Sequence, residues 1–276
     1  MSLYIVATPI GNLEDMSPRA LNILRQVDLI AAEDTRHSRK LLRHYLIDTA
    51  LVTYHDHNES MASDSLVEKL LSGVDIALIS DAGTPLISDP GYRLVKQAQE
   101  RGVRVIPVPG ASAIIAALSA SGLATDQFRF EGFLPAKTSA RVSRLEALKP
   151  ESCTLVFYEA PHRIEKMIED LVQVFGPNRV ATIARELTKK FEQVVRDDLG
   201  GLQARLQGGG IVSKGEFVVL VAGAQRVETD LDETKLMQAL LDELPPARAA
   251  NVAHKLTGSG KKHFYDLALT LKKEKG

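Results

Sequence analysis

The chain has 276 residues, with 34 Lys and Arg against 35 Asp and Glu for a formal net charge of −1, so it is neither a uniformly basic nor a uniformly acidic protein. That length predicts two domains rather than one, and 45% hydrophobic with 25% charged residues is the composition of a soluble globular enzyme. The single cysteine, Cys153, excludes an intramolecular disulfide and a cysteine-based zinc site; no apolar run reaches bilayer-spanning length, and the opening MSLYIVATPIGN lacks a basic region and a cleavage site, which predicts a cytoplasmic protein.

Leu3 to Ala7 reads as a first strand running into Thr8-Pro9-Ile10-Gly11-Asn12. Ser17-Pro18 then supplies an N-cap and an N1 proline for a helix carrying Leu21, Leu24 and Val27. Val27 to Ala32 is a second strand, ending in Glu33-Asp34-Thr35-Arg36, and a helix over about 37–46 follows. Leu51 to Tyr54 is a short third strand, ending in His55-Asp56-His57-Asn58-Glu59, and the next helix carries Leu66, Leu70 and Leu71. Ile76-Ala77-Leu78-Ile79 is an apolar run of the kind buried on both faces. It breaks into a long loop, Ser80 to Gly91, holding Asp81, Asp89, two glycines and two prolines. A helix from Tyr92 to Arg101, a strand from Val103 to Val108 and a small-residue helix from Pro109-Gly110-Ala111-Ser112-Ala113 to Gly122 complete this half.

Strands alternating with helices predict a parallel, helix-covered sheet, and in such a sheet the carboxyl ends of the strands share one rim. Every strand here ends in a polar or Gly/Pro cluster, so that rim is predicted to be the active site.

A boundary is predicted near 123–128. The second half shows Phe130-Glu131-Gly132-Phe133, a helix around 138–148, a strand from Thr154 to Tyr158, a helix from Pro161 to Phe175, and strands from Arg179 to Ala184 and from Gly215 to Val221. Arg185 to Glu192 precedes the last strand, and Gly208-Gly209-Gly210 reads as a loop. Residues 224–232 read as a polar linker to helices around 233–243, 246–256 and 261–272. Residues 245–276 hold seven Lys and Arg against two acids, leaving an acidic body with a basic end, an asymmetry that suits a polyanionic partner.

Four chemistries compete for the rim. No glycine-rich loop is followed by Lys-Ser or Lys-Thr at P-loop spacing, and neither Thr8–Asn12 nor Ala82–Gly91 matches G-x-G-x-x-G. His55 and His57, if on a strand, would face one way beside Asp56, Glu59 and Asp81, but no compact third-ligand motif accompanies them. The fourth chemistry is a small adenosyl ligand wrapped by glycine-rich backbone.

Six clusters carry that reading further: Ala7–Asn12, Glu33–Arg36, Ser80–Gly91, Pro109–Ala113, Tyr158-Glu159-Ala160-Pro161-His162-Arg163 and Arg185-Glu186-Leu187-Thr188-Lys189-Lys190. In this order, over residues 3–223, they resemble the bacterial small-subunit (16S) ribosomal RNA 2′-O-ribose cytidine methyltransferases of the tetrapyrrole methylase superfamily. The resemblance implies an α/β fold of two domains, 1–122 and 123–224, with a cleft between them for S-adenosylmethionine, and a helix-turn-helix-like unit at 232–276. It implies a homodimer acting on 16S ribosomal RNA within the small ribosomal subunit, with no membrane and no metal. The porphyrin-modifying branch carries G-x-G-x-G-D and G-G-D-P where this chain has Ala7–Asn12 and Ala82-Gly83-Thr84-Pro85, departures that disfavour a tetrapyrrole substrate.

By position, the resemblance places Ile10, Gly83, Thr84, Pro85, Ile87, Ser112, Ala113, Glu159, Gly215 and Glu216 against the cofactor. A ribose hydroxyl is a poor nucleophile while protonated, so a base is expected among Asp34, His55, Glu159, Glu186 and Lys189, with Glu186 and His55 favoured and Asp34 better explained by its neighbour Arg36. Asp81 and Asp89 are expected to fix loop geometry. Arg36, Arg39, Lys40 and Arg43 on the first domain, Arg163, Arg185 and Lys190 on the second, and Lys261 and Lys262 near the end are the expected grips on RNA phosphates.

Overall fold

The structure, a computed structural model, describes residues 1–224 and 233–274, so the linker expected at 224–232 and the last two residues lie outside it, Ala224 excepted. Strands β1 (Ser2–Val6), β2 (Leu29–Ala32), β3 (Ala50–Thr53), β4 (Ile76–Ile79) and β5 (Arg104–Val108) form a sheet in the order β3-β2-β4-β1-β5. Every pairing in it is parallel, as the strand–helix alternation predicts. Successive strand residues point to opposite faces, and both faces are covered. Ala77 and Ile79 of β4 pack under α1 (Pro18–Gln26) and α2 (Thr35–His44), while Ile76 and Leu78 pack under α3 (Glu59–Leu71) and α4 (Tyr92–Glu100). The predicted start of α1 is present: the Ser17 hydroxyl accepts from the Ala20 amide at 3.1 Å, with Pro18 in the first turn.

The second sheet differs from the expected alternation. β6 (Phe128–Phe133), β7 (Thr154–Glu159), β8 (Val180–Arg185), β9 (Gln193–Asp198) and β10 (Phe217–Val221) run in the order β6-β7-β10-β8-β9. Only β6 and β7 pair in parallel; β10 lies antiparallel between β7 and β8, and β8 pairs antiparallel with β9. β9 and the helix after it, which lie in a stretch with no predicted element, form this edge. On one face sit α6 (Thr138–Leu148), α7 (Ile164–Phe175) and that helix, α8 (Leu199–Gln207). The other face, with Val156, Ala184, Val218 and Leu220, is covered by α5 (Ala113–Ser121) through Ile114, Ala117 and Leu118.

That placement of α5 binds the two halves together. The helix follows β5 in sequence yet packs on the second sheet, and the Thr182 hydroxyl donates to Ser121 O at 2.9 Å. Residues 1–224 accordingly form one compact unit with both sheets inside it, and the division expected at 122/123 falls within that unit.

Between α6 and α7, Arg141 Nε meets Asp170 Oδ2 at 2.6 Å with each side chain 2% exposed. The same guanidinium donates to Pro135 O and Ala136 O, which fastens the segment after β6.

The second unit, Gln225–Gly276, contains α9 (Glu233–Glu243), α10 (Pro246–Thr257) and α11 (Lys261–Glu274). Met237, Ala249, Ala253, Phe264 and Ala268 build its own core, with the three helices near where the sequence predicts them. Among the described residues no helix is long and apolar enough to cross a membrane.

Candidate active site

The loops after β1 and β4 are joined before they reach any ligand. The Thr8 amide donates to Gly83 O at 2.8 Å and the Gly83 amide donates to Thr8 O at 3.1 Å, an antiparallel bridge across the rim of a parallel sheet. The Thr8 hydroxyl donates to Ser80 O at 3.1 Å, and the Thr84 hydroxyl donates to Ala111 O at 3.1 Å, so the loop after β5 is tied in as well. Gly83 sits at φ +87°, and a Cβ there would stand 3.3 Å from Ile10 Cγ2. Glycine is therefore set by the backbone conformation and by the close approach of Ile10.

Beyond this floor opens a cavity of about 390 Å³, within the usual range of small-ligand sites. Ile10, Gly83, Thr84 and Ile87 line it from the first two loops, Ser112 and Ala113 from the third, and Glu159 and Glu216 from the second sheet. Two of the residues expected against the cofactor stand back from it: Pro85 is buried under its loop, and Gly215 is covered by the Glu186 carboxylate, which a Cβ would meet at 2.4 Å. Leu86 (φ +74°) and Ser88 (φ +67°) flank Ile87 in the left-handed region, as do Glu186 (φ +49°) and Thr188 (φ +65°) around the lining residue Leu187. Each such non-glycine residue costs on the order of 1 kcal/mol, and strain of this kind gathers at functional loops.

One corner of the cavity is acidic. Glu33, Asp81 and Asp89 line it from the ends of β2 and β4. Burial raises the Glu33 carboxyl above its ordinary range, and the charges of Asp89, Asp81 and Asp56 add to that. The Asp89 carboxyl is likewise raised by burial, with a hydrogen bond from Ser80 opposing and Asp81 and Asp56 adding. Asp81 Oδ1 accepts from the Asp34 amide at 3.1 Å, the loop-fixing role expected of it. From the second sheet Phe133 and Tyr158 also line the cavity, with ring centroids 5.6 Å apart, neither of them singled out from the sequence. Burial pushes the Tyr158 hydroxyl up to about 12, with the Asp89 charge adding.

The base candidates separate on geometry. Glu159 lines the cavity at 2% exposure; Oε1 accepts from the Ala160 amide at 2.8 Å and faces Arg163 Nε at 3.1 Å, while Oε2 is buried without a protein partner. Burial raises its carboxyl despite those contacts. Glu186 and Lys189 do not line the cavity; they clasp one another, Lys189 Nζ donating to Glu186 Oε1 at 2.9 Å and to Glu216 Oε2 at 3.0 Å. Burial alone would raise Glu186, but hydrogen bonds from Lys189 and the Glu216 amide outweigh it and hold the carboxyl below its ordinary range. Burial would lower Lys189, and its two carboxylate partners reverse that and keep it cationic. Both are poor bases in this arrangement. Asp34 caps α2 and pairs with Arg36 at 3.2 Å, as the sequence implies.

His55 stands outside the lining. It and His57 follow β3 in a turn rather than lying on a strand, so the alternation argument for a shared ion does not apply; their ring centroids are 5.9 Å apart. Glu59, one of the three carboxylates in that reading, accepts from the Tyr54 hydroxyl at 3.0 Å and the Gly91 amide at 3.2 Å. Among the described residues no three of His, Cys, Asp and Glu gather as a metal-holding group.

The expected phosphate grips divide in the same way. Arg163 is an internal strut, donating to Leu134 O at 2.6 Å beside Glu159, and Arg185 donates to Lys214 O at 2.6 Å and Phe191 O at 3.1 Å. Arg39 and Arg43 are exposed on α2, Arg36 is exposed but paired, Lys190 lies over the Phe191 ring, and Lys261 and Lys262 are exposed in the first turn of α11.

Residues 2–203 match the family described as Tetrapyrrole (Corrin/Porphyrin) Methylases, and residues 227–272 match the RsmI C-terminal HTH domain. The chain is 51% identical over 272 residues to the ribosomal RNA small subunit methyltransferase I of Pseudomonas aeruginosa, covering 97% of this chain and 96% of that protein. It belongs to the ribosomal RNA small subunit methyltransferase I family of tetrapyrrole methylases. The protein of that name from Escherichia coli O157:H7 is 48% identical over 269 residues, covering 97% of this chain and 94% of its own length. Among solved structures, the chain is similar to uroporphyrin-III C-methyltransferase from Thermus thermophilus complexed with S-adenyl homocysteine (TM-score 0.56, 17% identity, 80% of this chain and 97% of that one) and to diphthine synthase (TM-score 0.60, 16% identity, 80% and 90%). At those identities the likeness is one of fold.

Members of this family are methyltransferases that depend on S-adenosylmethionine, and the cavity suits that cofactor. Apolar side chains and loop backbone from Ile10, Gly83, Ser112, Ala113 and Val218 offer an adenosyl-sized surface. The unpartnered Glu159 Oε2 awaits a donor, and the acidic lining favours a cation over a phosphate.

Proposed function

We propose that this chain transfers the methyl group of S-adenosylmethionine to the ribose 2′-oxygen of a cytidine in the decoding region of 16S ribosomal RNA. The observation that carries the reading is the cavity itself: backbone-lined on the first sheet's rim, closed by the second sheet, and acidic where a sulfonium is welcome and a phosphate is not. The near full-length identity to proteins named for small-subunit ribosomal RNA methylation supports the substrate.

When bound, the sulfonium supplies an electrophilic methyl whose carbon–sulfur electron pair leaves with sulfur. The chain's own part is to hold that group through Ile10, Gly83, Thr84, Ile87, Ser112, Ala113, Glu159 and Glu216, to align the incoming oxygen, and to accept its proton. Phosphates stay outside the acidic cavity. Arg39 and Arg43 on α2, with Lys190, meet them on the first unit; Lys261 and Lys262, at the positive end of the α11 dipole, meet them on the second. The enzyme works in the cytoplasm as a homodimer on RNA within the small ribosomal subunit.

Incubation with methyl-labelled S-adenosylmethionine and either free 16S ribosomal RNA or small subunits lacking the modification tests the reading. Label on a cytidine ribose is the expected result. Label on a base, or in neither RNA, overturns it.

A further inference from the structure

One part of the cavity pairs an acid with an aromatic surface. Asp89 lines it from the loop after β4, and Phe133 and Tyr158 line it from β6 and β7. Ser88 and Gly132 bring these walls together, a Cβ at Gly132 standing 3.6 Å from Ser88 Oγ. The aromatic row is braced: Phe130 packs edge-on to Tyr158 at 4.9 Å and Tyr158 packs against Phe133 at 5.6 Å. Phe133 nevertheless remains 58% exposed. A large ring held rigid from behind and open in front is what single-stranded RNA recognition uses, since every base offers a π-face. The same cavity holds Oε2 of Glu159, buried with no protein partner in a residue that is 2% exposed, an acceptor that a bound ligand can satisfy.

We propose that this corner is the subsite of the target nucleotide, in which Phe133 stacks on its base and the Asp89 carboxylate takes the proton of its ribose 2′-hydroxyl. The inference rests on the reading of the chain as a ribose methyltransferase. In the transfer the 2′-oxygen forms its bond to the methyl carbon, the O–H pair stays on oxygen, the proton passes to Asp89 and then to solvent, and the carbon–sulfur pair goes to sulfur. Asp89 suits the role better than Glu186 or Lys189 because it faces the cavity and neither of those does. The Ser80 side chain is hydrogen-bonded to it, and among the described residues the charged groups that act on it are Asp81, Asp56 and Glu33, none of them a cation.

The test uses full-length protein with its RNA substrate and measures S-adenosylmethionine Kd, melting temperature, RNA KM and single-turnover rate against pH. Asp89→Asn keeps the side-chain shape and is expected to slow transfer on the order of hundredfold. It should also erase the rise in rate on the acid side of the wild-type profile, with cofactor Kd weakened far less than transfer is slowed because Glu33 and Asp81 keep the corner acidic. Phe133→Ala should raise RNA KM about tenfold with cofactor Kd unchanged, and Phe133→Trp should restore it. A retained acid limb in Asp89→Asn, or cofactor Kd weakened as much as RNA KM in Phe133→Ala, overturns the subsite and assigns the corner to the cofactor. Wild-type protein that binds S-adenosylmethionine but labels no ribose overturns the functional reading itself, and is distinguished by needing no variant.

Discussion

The side chain of Lys189 lies across Gly11: a Cβ built on Gly11 would stand 2.4 Å from Lys189 Cγ and 2.7 Å from its Cε. The ammonium at the end of that stem reaches Glu186 and Glu216, so the loop after β1 is clasped to the loop after β8 and to the start of β10. The lysine's partners and stem contact thus make it a fastener for the cavity, with its charge spent on the clasp. Gly11→Val should dislodge the stem and weaken S-adenosylmethionine binding on the order of tenfold, a loss of about 1.4 kcal/mol, measured by calorimetry. Unchanged affinity would mean that the clasp does not shape the pocket.

The acidic corner makes stability depend on pH in a definite direction. Burial first, then Asp89, Asp81 and Asp56, raise the Glu33 carboxyl above its unfolded value. A raised carboxyl favours the protonated folded form, so its contribution is fully present below the unfolded pKa, about 4.5, and is lost as pH climbs through the folded value. Glu33→Gln should therefore melt a few degrees higher than wild type at pH 8, and the difference should close by pH 4. A difference that grows on acidification would reverse the sign of the argument.

Arg141 and Asp170 are each 2% exposed and pair at 2.6 Å. Asp170→Ala strands a buried guanidinium and should destabilise by about 3–5 kcal/mol in denaturant unfolding. The double change Arg141→Met with Asp170→Leu should recover most of that loss, because an apolar pair needs no counter-charge. Equal losses in the single and double variants would show that packing rather than charge matters there.

The second unit has its own core around Phe264 and Ala253. A chain ended after Ala224 should fold, keep its S-adenosylmethionine affinity and bind RNA more weakly, with the deficit shrinking as salt is added because the lost contacts are electrostatic. Truncated protein that modifies RNA as well as the full chain would remove the second unit from substrate binding.

The first sheet was legible because its strands are short buried runs and its loops are made of residues with narrow conformational preferences. The rim clusters marked the loops, and within them the family resemblance pointed to Ile10, Gly83, Thr84, Ser112 and Ala113, all of which line the cavity. The second sheet was harder. β9, Gln193-Val194-Val195-Arg196-Asp197-Asp198, is a half-buried edge strand with charges along it, and α8 opens Leu199-Gly200-Gly201, so neither carries the periodicity that reveals an element. Charge was the least legible property. Arg163 and Arg185 look like phosphate ligands in a string of letters and Lys189 like a base, yet each is committed to carbonyls or carboxylates inside the chain. Phe133 and Tyr158 did leave a signal, an aromatic beside a glycine at a strand end and one just ahead of Glu159, but aromatic residues on strands are ordinary core.

The paired hydrogen bonds between Thr8 and Gly83 have a dynamic consequence. Because they lock the loop after β1 to the loop after β4, the floor of the cavity cannot fray like a free loop; opening it means breaking both bonds. The Gly83 amide should thus exchange its hydrogen with solvent nearly as slowly as the amides of β1 and β4.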